Sequence, residues 1–185
     1  NYELNISYIN PITSETKEST YLGVDSFTVA DKTIFSNPTP DKYVFKEWNT
    51  KADGSGTKFN PNATIKDSDM VNNEIVLYAI WDEKIFITYV NPITLEEKTV
   101  EYLPSDTITV SDASIFDTAT DSKYKFINWS TAVDNTGVDY NVGDTLSSNI
   151  TLYAVWKEEI NIVYINTLNS EEIIDKYYVG DTIKV

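Results

Sequence analysis

The chain has 185 residues and a formal net charge of −15, with 14 basic residues, all lysine, against 29 acidic ones and no histidine or cysteine. This composition excludes His-based triads, thiol nucleophiles, disulfides and the usual His/Cys zinc sites. The charge also disfavours nucleic acid and anionic lipid as partners, and no apolar run is long enough to cross a bilayer.

The first strand-like segment of the chain returns twice. Leu4–Thr13 (LNISYINPIT) matches Ile85–Thr94 (IFITYVNPIT), and this spacing of 81 residues holds without a gap as far as residue 145. After a shortened loop the spacing becomes 75, and a third copy begins at Ile160. Self-similarity of this kind is the signature of repeat arrays. The sequence therefore predicts two modules, 1–81 and 82–156, and the first half of a third, truncated repeat over 157–185.

Each copy begins with an A part, at about 1–30, 84–110 and 159–185. In the first copy Leu4, Ile6 and Tyr8 alternate with polar residues, which is typical of a half-buried strand. A turn follows, and then a return strand over residues 18–22 and a short strand over 26–29. Residues 31–36 and 112–117 are expected to form one helical turn each, capped by an aspartate, with an Ile-Phe pair facing inward.

A B part follows at about 42–81 and 123–156. It contains three predicted strands, Tyr43–Asn49, Thr57–Asn60 and Ile75–Trp81, with a turn signal at Asp53–Gly56 between the first two. Because the last strand is apolar on both faces, we expect it to be central and covered on both sides. The next A part follows within a few residues, so adjacent modules are expected to bend little against each other.

The aromatic pattern of the B parts carries a family resemblance. Tyr43-x-Phe45-x-x-Trp48, the Gly-containing turn and the later Leu-Tyr-Ala-x-Trp81 resemble the Listeria–Bacteroides repeat, the B-repeat type of the internalins. That resemblance implies β-grasp-like modules of secreted, wall-attached bacterial surface proteins, Gram-positive in type, which act as tandem spacers or in adhesion. The family usually has glycine just before the first tryptophan, where this chain has Glu47 and Asn128, so the local backbone needs checking.

Aromatic residues are the first candidates for chemistry. The four tryptophans could form a sugar-stacking platform, but core packing is the favoured interpretation because large aromatics dominate cores. Tyr177 and Tyr178 are better candidates for contact with a glycan if they are exposed. The tryptophans are Trp48, Trp81, Trp129 and Trp156.

Other chemical motifs are weak. The adjacent glutamate pairs, at 96–97, 158–159 and 171–172, are expected to be solvated, since neighbouring strand residues point to opposite faces and cannot form a glycosidase pair. Asp53 and the Asp67-Ser-Asp69 segment fall short of a calcium loop, and Gly54–Lys58 is better explained as a hairpin turn than as a phosphate loop. The sequence thus assigns no catalytic, metal or cofactor-binding residue and predicts no cofactor and no enzymatic activity.

The sequence favours a mostly-β (α+β) array of small β-grasp-like modules, elongated, with at most one short helix each. The leading function is a non-catalytic stalk or spacer on the bacterial cell surface or cell wall, with neighbouring repeats and a host glycan or surface protein as partners. The alternatives are a true adhesin module and an accessory domain of a secreted hydrolase. Since Asn1 is not an initiator methionine, we expect a processed or excised piece. The last A part should be held by module two or a neighbouring molecule, because lone hairpins are marginally stable.

Overall fold

A computed structural model describes residues 3–36, 39–118 and 120–184. The chain forms two compact units, Asn1–Lys84 and Ile85–Val185. Helical structure in the described residues is confined to three single turns of 3₁₀ helix, at Lys32–Ile34, Asp67–Asp69 and Ala113–Ile115. The mostly-β prediction is therefore confirmed.

The first unit is built on one mixed sheet. Its strands are β1 (Glu3–Asn10), β2 (Glu15–Leu22), β3 (Ser26–Thr28), β4 (Tyr43–Asn49), β5 (Lys58–Phe59), β6 (Thr64–Lys66) and β7 (Glu74–Glu83). The strand order is β2-β1-β7-β4-β5, in which β1 and β7 run parallel and the other neighbours are antiparallel. The short strands β3 and β6 pair separately. The A and B parts thus share one sheet, since the parallel β1–β7 ladder joins the first strand of A to the last strand of B.

The second unit repeats this arrangement and extends it. Its strands are β8 (Ile85–Asn91), β9 (Glu96–Tyr102), β10 (Ile108–Thr109), β11 (Tyr124–Ser130), β12 (Asp139–Tyr140), β13 (Thr145–Leu146), β14 (Ile150–Asn166) and β15 (Glu171–Tyr178). The sheet order is β12-β11-β14-β8-β9, and β10 pairs with β13. The long strand β14 then continues into the third copy, where residues 159–166 pair with β15.

Each unit has its own core on one face of its sheet. In the first unit Ile6 of β1 and Leu77 of β7 are buried under Phe27 and Ile65, which the β3–β6 pair supplies. The opposite face is not sealed, because Val76 of β7 is 38% exposed. β7 is central, as expected, but the prediction that both of its faces are covered is wrong: the β3–β6 layer packs on only one side.

The predicted helical turns are present in both copies. Asp31 caps the first, its Oδ1 accepting a hydrogen bond from the Thr33 N–H at 3.1 Å. Asp112 caps the second in the same way, through the Ser114 N–H at 2.8 Å. The isoleucine and phenylalanine at the end of each turn pack against the core of their unit.

The positions before the first tryptophan of each B part follow a β-bulge. The pairing of β4 with β7 shifts between Phe45 and Glu47, and that of β11 with β14 shifts between Phe126 and Asn128. A bulge inserts one extra residue and re-aims the side chains that follow. Neither Glu47 nor Asn128 has a positive φ. The bulge therefore shapes this backbone without a glycine.

The hairpin formed by residues 159–184, which we call the third hairpin, is attached to the second unit at its base. The Val179 N–H donates to the Glu158 carbonyl at 2.9 Å, and the ammonium of Lys125 lies 4.9 Å from the centre of the Tyr178 ring. The expected support from module two is thus confirmed at the base. Beyond it, both faces of the hairpin are largely exposed.

Candidate functional site

The four tryptophans separate into two structural classes. Trp48 and Trp129 are fully buried, at 0% exposure, and the core interpretation is confirmed for them. Trp81 and Trp156 are only half-buried and stand at the margin of each core. Their indole N–H groups are shielded from solvent and have no hydrogen-bond acceptor among the described residues.

A reciprocal pair of hydrogen bonds fixes each buried tryptophan. In the first unit the Trp48 Nε1–H donates to the Ala30 carbonyl at 2.9 Å, while the Tyr8 hydroxyl accepts from the Ala30 N–H at 3.0 Å. The Tyr8 and Trp48 rings meet edge-on, 4.8 Å apart. We call this arrangement the Tyr–Trp clamp. It joins β1, β4 and the connection between the A and B parts through the backbone of one residue.

The second unit reproduces the clamp. The Trp129 Nε1–H donates to the Ser111 carbonyl at 2.7 Å, and the Tyr89 hydroxyl accepts from the Ser111 N–H at 3.1 Å. Because a backbone N–H and C=O are used, the central residue can be Ala30 or Ser111. The sequence did not reveal the Tyr–Trp clamp, because its tyrosine and tryptophan lie about 40 residues apart. The residue that joins them also differs between the two copies.

Edge-to-face contacts connect the clamp to the half-buried tryptophans. Phe45 lies 5.4 Å from both Trp48 and Trp81, and Phe126 lies 5.2 Å from Trp129 and 5.4 Å from Trp156. Such pairs add about 0.5–1.5 kcal/mol each beyond burial. The outer indole of each unit is therefore positioned by the core.

Each outer tryptophan lines a surface groove, which we call the Trp groove. The groove of the second unit has a volume of about 340 Å³, and that of the first about 280 Å³. Both are built from equivalent positions: a Pro-Ile pair after the first strand, the Asp-containing turn, and the end of the last B strand. The shared lining residues are Pro11, Ile12, Asp53 and Trp81 in the first unit and Pro92, Ile93, Asp134 and Trp156 in the second.

The aspartate of each groove is held by its own turn. Asp53 Oδ1 accepts from the Ser55 N–H at 3.0 Å, and Asp134 Oδ1 accepts from the Thr136 N–H at 3.2 Å. In both, hydrogen bonds from the residue two further on hold the pKa of the carboxyl below its usual range: the Ser55 backbone N–H leads for Asp53 and the Thr136 side chain for Asp134. An ionised carboxylate at the rim of an apolar groove can accept hydrogen bonds from a polar ligand.

The remaining candidates have structural partners. Tyr177 and Tyr178 are half-buried rather than freely exposed, and Lys125 lies over the Tyr178 ring. Gly54–Lys58 leads into the two-residue strand β5 and not into a helix. Asp69 accepts from the Lys66 N–H at 2.9 Å. Over the described ranges, no three acidic side chains gather into a group that could hold a metal ion.

One glutamate expected to be solvated supports a loop instead. The two carboxylate oxygens of Glu96 accept from the N–H groups of Asp117 and Thr118, both at 2.8 Å. Glu15 makes the equivalent contact with the Ser36 N–H at 2.8 Å. These bonds, led by that from Asp117, lower the pKa of Glu96 below its usual 4.5.

Replacing Glu96 by glutamine should lower the melting temperature of the second unit at pH 7. Because the folded-state pKa of Glu96 is depressed, its stabilisation is present above the ordinary pKa and is lost as pH falls through the folded value. The difference between variant and parent should therefore shrink below about pH 4 in thermal melts followed by circular dichroism. Glu97→Gln, on the exposed opposite face of β9, is the control and should change little. A Glu96→Gln effect that persists unchanged in acid would contradict this role.

Comparison with known proteins finds a matching family model and a protein of similar sequence. A family model described as the Listeria-Bacteroides repeat domain matches residues 9–80 and 91–155, one match in each unit. The chain is also 31% identical over 140 residues to a protein of Evansella cellulosilytica named as a Gly-rich membrane protein. That match covers 72% of this chain and 16% of the relative. Among the residues that the structure describes, no helix is long or apolar enough to cross a membrane.

Proposed function

Because the chain belongs to the Listeria-Bacteroides repeat family, we propose that it is a non-catalytic spacer region of a secreted bacterial surface protein, with adhesive contacts made by its modules. One observation carries this proposal: two complete modules, each with its own core and clamp, follow each other with only Lys84 between β7 and β8. A one-residue connection has few rotatable bonds, so the number of modules would set the length of the spacer.

The absence of an enzymatic role is part of the proposal. The carboxylates with assigned roles bind turn amides or lysines: Asp53, Asp112 and Glu96 accept from backbone N–H groups. General acid–base catalysis needs carboxyl groups held apart in pKa around a cleft, and here the shifts of all three carboxyls are downward. Incubation with polysaccharide and peptide substrate panels should give no turnover above the buffer rate. Turnover that follows the purified protein would favour the hydrolase alternative.

Adhesion is assigned to the Trp grooves. In this proposal the half-buried indole that lines each groove meets the C–H face of a sugar ring, and the adjacent aspartate accepts hydrogen bonds from its hydroxyl groups. Ligand sites are typically concave, mainly apolar and equipped with a few fixed polar groups. The occurrence of the same groove in both modules supports a repeated, weak site whose avidity grows with copy number. The chemical class of ligand is a neutral glycan, since the net charge of −15 would repel an anionic one.

The adhesive part can be tested with a glycan array. The parent chain should bind a subset of neutral glycans, Trp156→Ala should weaken that binding about tenfold or more through loss of bivalency, and Trp81→Ala with Trp156→Ala should abolish it. Trp156→Phe, which keeps an aromatic surface, is the matched control, and circular dichroism checks folding. No binding by the parent chain, or binding unaffected by the double substitution, would remove adhesion and leave the spacer role.

A further inference from the structure

The third hairpin presents an apolar face that the complete modules keep covered. Ile160, Ile162 and Tyr164 stand where Leu4, Ile6 and Tyr8 stand in the first copy. Those first-copy residues are at most 1% exposed, whereas Ile160 is 39% exposed and Ile162 and Tyr164 are half-exposed. Covering such side chains is favourable, because it removes apolar surface from water. The sequence of this face is that of a core strand, but its cover is absent from the described residues.

The same segment also has an unused hydrogen-bonding edge. In the first unit residues 5–9 of β1 form a parallel ladder with residues 74–78 of β7, and in the second unit residues 87–90 of β8 form one with residues 150–153 of β14. The equivalent residues 161–165 pair with β15 alone within the described part of the chain. No strand among the described residues pairs with their other edge, whose N–H and C=O groups therefore form a template for strand addition.

The hairpin is already folded in the geometry of the repeat. The Asn166 Oδ1 accepts from the Leu168 N–H at 3.0 Å, as Asn10 does from Ile12 and Asn91 from Ile93. Asp181 accepts from the Tyr178 N–H at 2.9 Å, matching the bond from Leu103 to Asp106. A preformed acceptor lowers the ordering cost of binding.

We propose that the third hairpin is an acceptor site for a B-type segment, which adds as a parallel strand along residues 161–165 and covers the face of Ile160, Ile162 and Tyr164. The two complete modules define the occupant, because each pairs a strand of the pattern Ile-x-Leu-x-Ala with the equivalent edge and packs a tryptophan of the same B part edge-on against the tyrosine of the apolar face. In this register, an isoleucine lies opposite Ile162 and a leucine opposite Tyr164, as in the pairs Ile6–Ile75 and Tyr8–Leu77.

The chain itself supplies a probe for this site. A polypeptide of residues 111–158, which holds the complete second B part, should bind the parent chain in a saturable 1:1 titration and protect the amides of 161–165 from hydrogen exchange. Ile162→Asp in the acceptor should weaken binding at least tenfold. Ile174→Asp, on the opposite face of the same hairpin, should leave it unchanged, because Ile174 pairs across from Val163 and not from the acceptor face. A polypeptide carrying Leu152→Asp is the matched control ligand.

The same contact can be tested without a free polypeptide. Joining residues 111–158 directly after Val185 preserves the repeat register and should add a third cooperative unfolding transition, which Ile162→Asp removes and Ile174→Asp retains. Absence of that transition, together with no protection by the polypeptide, would overturn the proposal. Protection of 161–165 that rises with the concentration of the parent chain alone would identify a second copy as the occupant and would also overturn it.

Discussion

Replacing Trp129 by alanine is expected to unfold the second unit while the first unit keeps its fold. The substitution removes a fully buried indole, its bond to the Ser111 carbonyl and its contact with Tyr89. A buried tryptophan-to-alanine change costs about 3–5 kcal/mol, a large share of the total stability of a small domain. Calorimetry should show one transition moved to much lower temperature or lost, and one unchanged.

The equivalent Trp48→Ala substitution should affect the other transition. Trp156→Ala, which removes a half-buried indole without a hydrogen-bond partner among the described residues, is the control and should have a clearly smaller effect. Equal effects of Trp129→Ala and Trp156→Ala would contradict the division into core and groove tryptophans. Loss of both transitions in either core variant would contradict the independence of the two cores.

A second large effect is expected for Gly137→Ala. A Cβ at this position would clash with the Thr131 hydroxyl and lie 2.7 Å from the Ala132 backbone nitrogen, and backbone atoms cannot yield as a flexible side chain would. Overpacking of this kind costs about 1–3 kcal/mol. We expect a corresponding fall in the denaturation midpoint of the second unit in urea.

A neighbouring position of the same turn is the matched control. Asn135 has a φ of 60°, and the first unit has Gly54, with a φ of 75°, at the equivalent place. Asn135→Gly should therefore be tolerated, with a change of a few tenths of a kcal/mol, since glycine adopts a positive φ without strain. A Gly137→Ala variant as stable as Asn135→Gly would show that the turn can relax around the added methyl group.

Local pattern was sufficient to predict much of each module. The period-two alternation over Leu4, Ile6 and Tyr8 predicted β1, and the aspartate before a short apolar segment predicted the capped turn at Lys32–Ile34. The strand Tyr43–Asn49 was predicted with its observed bounds. These features depend on neighbours in sequence, which a single chain displays directly.

Contacts between residues far apart in the chain were harder to predict from the sequence. The strand β6 is three residues long, too short for a period to be visible, and the sequence did not predict its pairing with β3; together these two strands supply Phe27 and Ile65, which cover Ile6 and Leu77. The exposed second face of β7 was mispredicted because an apolar strand does not reveal which of its faces is covered. The Tyr–Trp clamp was missed because it uses backbone atoms of a residue with no conserved side chain between Ala30 and Ser111.

The Trp grooves were also not predictable from the sequence. The sequence identified the tryptophans as a set but could not separate Trp48 and Trp129 from Trp81 and Trp156, because all four end strand-like segments. The difference arises from the sheet: β1 pairs with β7 only as far as Tyr78, so Trp81 lies beyond the end of its neighbour. The groove therefore follows from unequal strand lengths, which residue pattern alone does not encode.

The spacer role is tested most directly by a distance measurement between the two units in the intact chain. The chain has no native cysteine that would compete for the label. Thr16→Cys on β2 and Glu97→Cys on β9 therefore place one spin label in each unit, at equivalent, exposed positions. Double electron–electron resonance should then give a single narrow distance distribution that is unchanged by salt. A broad distribution, of the kind that a flexible tether produces, would contradict a spacer whose length is set by its modules.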